Sequence, residues 1–328
     1  MKNQLYSIPR VSILTPTWNR ASYIKRVWQG LVSQNYRNFE WIVANDGSTD
    51  DTAQIIRELA ARSDFPIILI DASIRIGKSR MDNEAVRQAQ GEFIIWCDSD
   101  DYFLPNALET LVNAWESIPD SEKDSFIGVT ALCDTKAGVL GNTYPRGEFT
   151  DITFNELFNM MQSDLVIFTK SELLKNTPFL EVDFLIPETS VWNEIGINKT
   201  RFIPQVLERK SYGEQHCLSF SGRMEYNRGR AYALAISREH QISLLTRRAR
   251  IWRAINYIRY CTHGEIGFYE AMKIWRAEIL SILGFLVITP VSLSLALKDQ
   301  AQGKVRKTHR EFLVALQSVE IDVRILNK

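Results

Sequence analysis

Three short polar runs in this chain have the composition of a ligand site. The densest is Asp98-Ser99-Asp100-Asp101, which directly follows the apolar run Phe93–Cys97. Placing several carboxylates side by side is costly, through desolvation and mutual repulsion. A divalent cation removes that cost. Carboxylate oxygens suit Mg²⁺ or Mn²⁺, ions that usually bridge to substrate phosphates. The same run can instead be a solvated turn into the helical pattern that begins near Pro105, with Asp101 in a capping role. The second run is Asn45-Asp46-Gly47-Ser48-Thr49-Asp50-Asp51. Gly47 permits a tight turn there, and Asp46 can accept hydrogen bonds from a nucleobase N–H or from ribose hydroxyls. Its alternative is an ordinary strand-to-helix turn with a capping residue. The third run is Thr15-Pro16-Thr17-Trp18-Asn19-Arg20.

These runs gain meaning from the elements that hold them. Each follows a short β-branched or aromatic stretch: Val11–Leu14, Phe39–Val43 and Phe93–Cys97, with a further stretch at Ile67–Ile70. Such stretches are apolar on both faces and read as central, parallel strands. Segments of helical period lie between them, at about 21–33, 51–61 and 79–89. Asp50 or Asp51 would start the second, and Gly91 would end the third. This alternation predicts an α/β fold of right-handed βαβ units in a mostly parallel, doubly wound sheet flanked by helices. Ligands of such sheets bind beyond the carboxyl ends of the strands, where all three polar runs fall.

Composition narrows the functional classes. Hydrophobic residues make up 45% of the 328, enough for a sizeable core. Lys+Arg and Asp+Glu are both 39, which argues against a globally basic nucleic-acid binder. Cys97, Cys133, Cys217 and Cys261 form no CxxC pair, so zinc is not expected and a reduced, cytoplasmic setting is. The first residues show no apolar signal-peptide core. Further strands are expected at 126–130, 165–169 and 202–207, and a turn or mobile loop at 137–145. From about residue 221 helix formers and arginines dominate, which marks a helical extension over 221–328. Within it, 279–297 carries no charge and approaches the length of a membrane span, about 20 residues. Pro290 interrupts it and both flanks are basic. A bent pair of half-helices lying in a membrane interface fits this pattern, with a buried or partner-packing helix and a true span as the alternatives.

Val11–Arg20, Ile42–Asp50 and Gly91–Asp101 together resemble, in order and spacing, the three signatures of family 2 inverting glycosyltransferases. The last of these contains that family's DxD motif. The resemblance is strong over about 10–115, moderate to about 220 and weak beyond. It implies the GT-A fold over 1–220, a Rossmann-like nucleotide-binding half (about 10–115) joined to an acceptor half (about 116–220). By the same resemblance Thr15, Pro16 and Asn19 would edge the nucleotide pocket and Asp46 would contact the base. Asp98 would lie near the ribose or metal, and Asp100 would hold Mg²⁺ or Mn²⁺ on the diphosphate. Lys78 or Arg80 would pass near the diphosphate, or else stand at a solvated helix start. Two departures stand out. Asn45 precedes Asp46 where the family often has a second Asp, and Met81-Asp82-Asn83 replaces its usual Ala-Arg-Asn.

Inverting transfer needs a general base for the acceptor hydroxyl. The family's acidic pair corresponds to Glu188-Thr189 here, so Glu188 is the candidate, with Glu194 and Asp183 behind it. The alternative for Glu188 is a helix start, where a carboxylate favours the dipole. Trp192 would stack on a sugar or fill core. His216 would approach the metal, or be structural. The QxxRW signature of processive synthases does not occur in the sequence, which points to transfer of one sugar. The expected donor is a nucleotide-diphosphate sugar, a UDP-sugar by preference. The expected acceptor is a glycan or lipid-linked sugar in surface polysaccharide synthesis, met at the inner face of a membrane through about 277–298. The competing functions are a nucleotidyltransferase, disfavoured by the lack of glycine in Thr15–Arg20, and a non-enzymatic nucleotide-sugar-binding module.

Overall fold

The computed structural model describes residues 8–141, 143–182, 184–211, 227–236, 245–275, 279–302 and 319–327. They divide into two compact units. The first comprises 1–178, 195–212 and 314–328, and the second 179–194 and 213–313. The sequence alone suggested a single boundary near 220.

The first unit is built on one mixed sheet. Its parallel centre is β1 (Val11–Thr17), β2 (Phe39–Asn45), β3 (Ile67–Ala72) and β4 (Phe93–Trp96). These are the four apolar runs of the sequence, and their side chains are buried nearly throughout. Each of Trp41, Phe39 and Phe93 is essentially inaccessible. Burying one such side chain contributes roughly 1.5–3 kcal/mol, so the centre of the sheet dominates the unit's stability. The expected helices are present as α1 (Ile24–Val32), α2 (Thr52–Ala60), α3 (Lys78–Gln88) and α4 (Ala107–Glu116).

Beyond the centre the sheet continues through β5 (Tyr102–Phe103), β6 (Phe126–Thr135), β7 (Gly138–Val139) and β8 (Thr150–Thr153). It also takes in β9 (Leu165–Lys170), β10 (Lys199–Arg209) and β11 (Ile321–Asn327). The main path is β11-β3-β2-β1-β4-β9-β6-β10-β5. The β3-β2-β1-β4 and β6-β10 pairs are parallel, and the other neighbours antiparallel. The chain steps outward from β1 to β3 and then returns to place β4 on the other side of β1. β1 and β4 thus lie at the point where the strand order reverses, the place where ligands of such sheets bind.

β11 was not anticipated. It pairs with the outer edge of β3, and Asn327 donates to the carbonyls of Ser63 and Phe65. Its alternation Ile321, Val323, Ile325 spans a short edge strand, a weak signal beside the helix-forming residues that precede it.

Helices also follow the middle strands: α5 (Phe154–Met161), capped by Thr153, and α6 (Ser171–Asn176) in the first unit, then α7 (Thr189–Ile195). The second unit contains α8 (Asn227–Ile236), α9 (Arg247–His263), α10 (Phe268–Ile274) and α11 (Ile279–Ala301). α11 runs through Pro290 as one helix instead of the expected pair of half-helices. A single proline removes one N–H, and the surrounding Leu, Ile and Ala residues keep the helix going. Among the described residues no helix is long and apolar enough to cross a membrane.

Candidate functional site

The three polar runs lie at the carboxyl ends of neighbouring central strands, and backbone and side chains tie the first two together. Asn19 adopts a left-handed conformation (φ 51°) and links the loop after β1 to the loop after β2. Its N–H donates to Ser48 Oγ at 2.9 Å, and its Oδ1 accepts from Thr49 N–H at 2.8 Å. Asp50 adds a second tie, accepting from Ala21 N–H at 3.1 Å and from Thr52 N–H at 3.1 Å, and so serves the start of α2. Arg20 N–H donates to Thr52 Oγ1 at 2.9 Å.

Asp46 extends the framework to the loop after β3. Its buried carboxylate accepts from Ile76 N–H at 2.6 Å and from Gly77 N–H at 3.1 Å. Burial pushes this carboxyl above its ordinary value, against the pull of those two N–H groups. Gly47 makes the approach possible. Its φ is +63°, and a Cβ there would lie 2.2 Å from the carbonyl carbon of Ile74. Arg75 packs on the Trp18 ring at 3.8 Å and reaches within 3.9 Å of Asp46.

The other residues picked out in the sequence divide by position. Thr15 is fully buried, donates to the carbonyl of Cys97 at 2.8 Å and accepts from Trp41 Nε1 at 2.9 Å, so its hydroxyl is engaged between β1, β2 and β4. Pro16 is partly exposed near the end of β1. Lys78 opens α3 and pairs with the buried Asp82 at 2.9 Å; Trp96 Nε1 donates to the other oxygen of Asp82 at 3.1 Å. Glu188 belongs to the second unit, and its carbonyl accepts from Val191 and Trp192 N–H at the start of α7. His216 and Asp183 lie outside the described residues.

Asp98–Asp101 forms a turn closed by Asp101 N–H to the carbonyl of Asp98 at 3.0 Å. The sequence reading gave no role to the residues beneath it at the end of β10. Lys210 Nζ lies 2.9 Å from Asp101, 3.2 Å from Glu208 and 3.5 Å from Asp98. Ser211 N–H donates to Asp101 Oδ1 at 2.8 Å, and its hydroxyl donates to the carbonyl of Asp100 at 2.6 Å. Cys133 Sγ donates to Glu208 at 3.5 Å. A signal was available, since Glu208 and Lys210 are opposite charges two residues apart at the end of an apolar strand, and so share a face.

The electrostatics follow from that packing. Burial opposes ionisation of Asp98, but the cations around it, Lys210 first and then Lys78 and Arg20, together outweigh it and hold the carboxyl below the usual range. Asp100 goes the other way, raised by burial and by the Asp98 charge. Burial pushes Asp101 up to about 6 and Glu208 up to about 8, in both cases against the pull of Lys210. Burial disfavours the Lys210 charge, yet the three carboxylates around it raise its pKa well above the ordinary lysine value.

Among the described residues no group of three or more His, Cys, Asp or Glu is arranged to hold a metal by itself. Two carboxylates fit a cation that shares its coordination with phosphates. The Asp98 side chain is 45% exposed, and Asp100 is partly exposed with no ion pair among the described residues.

Comparison with known proteins shows what this arrangement resembles. Residues 12–168, a little under half of the chain, match the model described as glycosyl transferase family 2. A curated relative, the GalNAc(5)-diNAcBac-PP-undecaprenol beta-1,3-glucosyltransferase of Campylobacter jejuni, is 30% identical over 60% of this chain and 62% of its own length. The poly(ribitol-phosphate) beta-N-acetylglucosaminyltransferase TarS of Staphylococcus aureus is 27% identical over 55% of this chain and 30% of its own. The chain thus spans less than two thirds of these relatives. In fold it is similar to the crystal structure of S. aureus TarS 1-349 in complex with UDP-GlcNAc. That likeness has a TM-score of 0.51 at 19% identity and covers 90% of this chain and 92% of the other. The expected α/β architecture, a GT-A-like central sheet flanked by helices with a helical C-terminal region, is what the structure has.

Proposed function

We propose that this protein is an inverting glycosyltransferase of family 2. It moves one sugar from a nucleotide-diphosphate sugar, UDP-linked by preference, to a glycan or lipid-linked acceptor in surface polysaccharide synthesis. The observation that carries the reading is the position of the loops after β1, β2 and β4 at the carboxyl ends of neighbouring strands, about the switch point. There Asn19 and Asp46 are locked in place and two carboxylates, Asp98 and Asp100, remain open to solvent. The curated relatives support the general activity, and one is named for an undecaprenol-diphosphate glycan.

In this reading the loops after β1 and β2 hold the nucleoside, with Asp46 at the base and Thr15, Pro16 and Asn19 shaping the pocket wall. Asp98 and Asp100 would hold Mg²⁺ or Mn²⁺, which would supply charge neutralisation for the departing diphosphate. Lys78 is tied to Asp82 and shapes the start of α3 beside the pocket. Glu188 takes the proton of the acceptor hydroxyl. The hydroxyl oxygen forms its bond to the anomeric carbon as the bond from that carbon to the diphosphate oxygen breaks, and the electron pair leaves on the diphosphate. The test is donor turnover with a panel of nucleotide sugars and a lipid-linked acceptor. Glu188→Gln should lower the rate by about 10²-fold or more, the usual scale for a general base. An unchanged rate in Glu188→Gln removes that residue as base. Failure of every donor with the intact protein favours a binding module.

The helical extension from 221 onward would meet the inner face of the membrane. α11 buries two polar side chains and leaves five apolar ones exposed. Its polar Ser292 and Asp299 are buried, with Asp299 paired to Arg259 and His263 of α9. Its Leu286, Val287, Val291, Leu293 and Leu297 are exposed, Val287 at 76%. An exposed apolar face of this kind suits an interfacial position.

A further inference from the structure

The sheet of the first unit ends on a strand whose sequence is complementary to itself. Among the described residues β11 pairs only with β3, and no strand lies along its outer edge. One bond fixes which way its backbone groups point. Ser73 N–H donates to the carbonyl of Glu320 at 2.9 Å, one step beyond the paired Ala72 and Ile321. Residues of an antiparallel strand bond alternately to either side, so Glu320, Asp322 and Arg324 address β3. Ile321, Val323 and Ile325 therefore direct their N–H and C=O groups outward. The side chains add a second pattern. Val323 is 40% exposed and Ile325 46%. Asp322 and Arg324 share the other face and form an ion pair at 2.5 Å. Toward β3 this acid is poorly matched, since Asp322 stands directly across from Asp71.

We propose that the outer edge of β11 is a dimerisation surface, and that its partner is the same edge of a second copy of this chain. Ile321–Ile325 reads apolar, acidic, apolar, basic, apolar. Antiparallel pairing about a two-fold axis at Val323 sets Asp322 of each copy opposite Arg324 of the other, and Ile321 opposite Ile325. The outward-pointing residues then form the hydrogen-bonded pairs, about six N–H···O bonds in all. Asp322 and Arg324 fall in the non-hydrogen-bonded pairs, where Cα atoms stand about 4.5 Å apart and side chains meet most closely. With the ion pair inside each strand, the four charges close a ring of alternating sign. Charge also fixes the register. A slip of two residues sets Asp322 against Asp322 or Arg324 against Arg324, and like charges directly opposite are destabilising. Such a contact is isologous and closes at two copies. It does not involve the donor site, because β1 stands three strands in from this edge.

Sedimentation velocity of the full chain tests this over a concentration series reaching about 0.1 mM, which covers the weak dimers that small interfaces form. Wild type should pass from monomer to dimer along the series. Val323→Pro should stay monomeric, since it removes an outward N–H and no bond to β3, a change that edge strands tolerate. The charge variants keep the test open should the proline variant fail to fold. Asp322→Arg alone and Arg324→Asp alone each set like charges against one another across the axis, and each should weaken the dimer about tenfold or more. The double variant Asp322→Arg/Arg324→Asp exchanges the signs and should restore it. Mixing the two single variants should give a heterodimer, read by energy transfer between differently labelled chains. A merely structural role for these residues predicts neither the rescue nor the heterodimer. Wild type that stays monomeric throughout, or a dimer that a folded Val323→Pro leaves intact, overturns the proposal. So does a folded double variant without rescue, or a mixture of the single variants that forms no heterodimer.

Discussion

Asp46→Ala should be among the most damaging single changes in the first unit that remove no core hydrophobe. The carboxylate of Asp46 is the acceptor for the N–H groups of both Ile76 and Gly77, in a position that is 6% exposed. Deleting it leaves two buried donors without a partner. Each orphaned donor costs about 1–3 kcal/mol, and partial relaxation of the 74–77 loop recovers some of this, so the net loss should be about 2–4 kcal/mol. Asp46→Asn keeps one oxygen in place and loses the charge, so its cost should be under about 1.5 kcal/mol. Urea unfolding at neutral pH, read by tryptophan fluorescence, separates the two through the transition midpoint at constant slope. UDP affinity in the folded Asn variant should still fall about tenfold, the effect of removing one charge-assisted contact to a base N–H. An Ala variant within about 0.5 kcal/mol of wild type would refute the claim that Asp46 holds this loop, since surface-like changes fall in that range.

Other consequences follow from the same geometry. Gly47→Ala should destabilise by more than about 3 kcal/mol in the same urea assay, because it combines a left-handed φ with a 2.2 Å clash against backbone. Asp100→Asn should leave the thermal midpoint unchanged or slightly higher, since it relieves repulsion from Asp98, yet abolish any enhancement of UDP binding by Mn²⁺. Glu208→Gln carries a pH signature. The folded carboxyl is pushed up to about 8 from an ordinary 4.5, so the native state keeps a proton that the unfolded chain releases. Stability from this group is full below pH 4.5 and lost as pH rises toward 8, so Glu208→Gln should gain stability relative to wild type between about pH 5 and pH 8.5. Val287→Glu with Leu297→Glu should change folding stability by under about 0.5 kcal/mol, since both side chains are exposed, while abolishing sedimentation with anionic lipid vesicles. Unaltered sedimentation would remove α11 as the membrane contact.

The parallel centre of the fold was legible because its signal is local. Val11–Leu14, Phe39–Val43, Ile67–Ile70 and Phe93–Cys97 are apolar on both faces, and only a strand buried on both sides of a sheet wants that pattern. The three polar runs were legible for the same reason, each lying directly after such a strand. What the sequence did not disclose depends on contacts between distant segments. Lys210 and Ser211 reach Asp98–Asp101 across about 110 positions of chain, the separation between Ser211 and Asp101. β11 finds the edge of β3 from the far end of the chain. Thr15 illustrates a third difficulty. Its position in the first polar run suggests a ligand contact, but in the structure its hydroxyl is engaged by Cys97 and Trp41. A short polar side chain at a strand end satisfies either role, and only the neighbouring strands decide which.

If the loops after β1 and β4 bind a nucleotide diphosphate with a divalent ion on Asp98 and Asp100, isothermal titration of UDP into the full chain, with and without Mn²⁺, will register it, with Asp100→Asn as the control. The expected result is one UDP per chain, binding strengthened at least about tenfold by Mn²⁺, and no such strengthening in Asp100→Asn. UDP binding that is indifferent to Mn²⁺, or absent for UDP and every other nucleoside diphosphate, would contradict it.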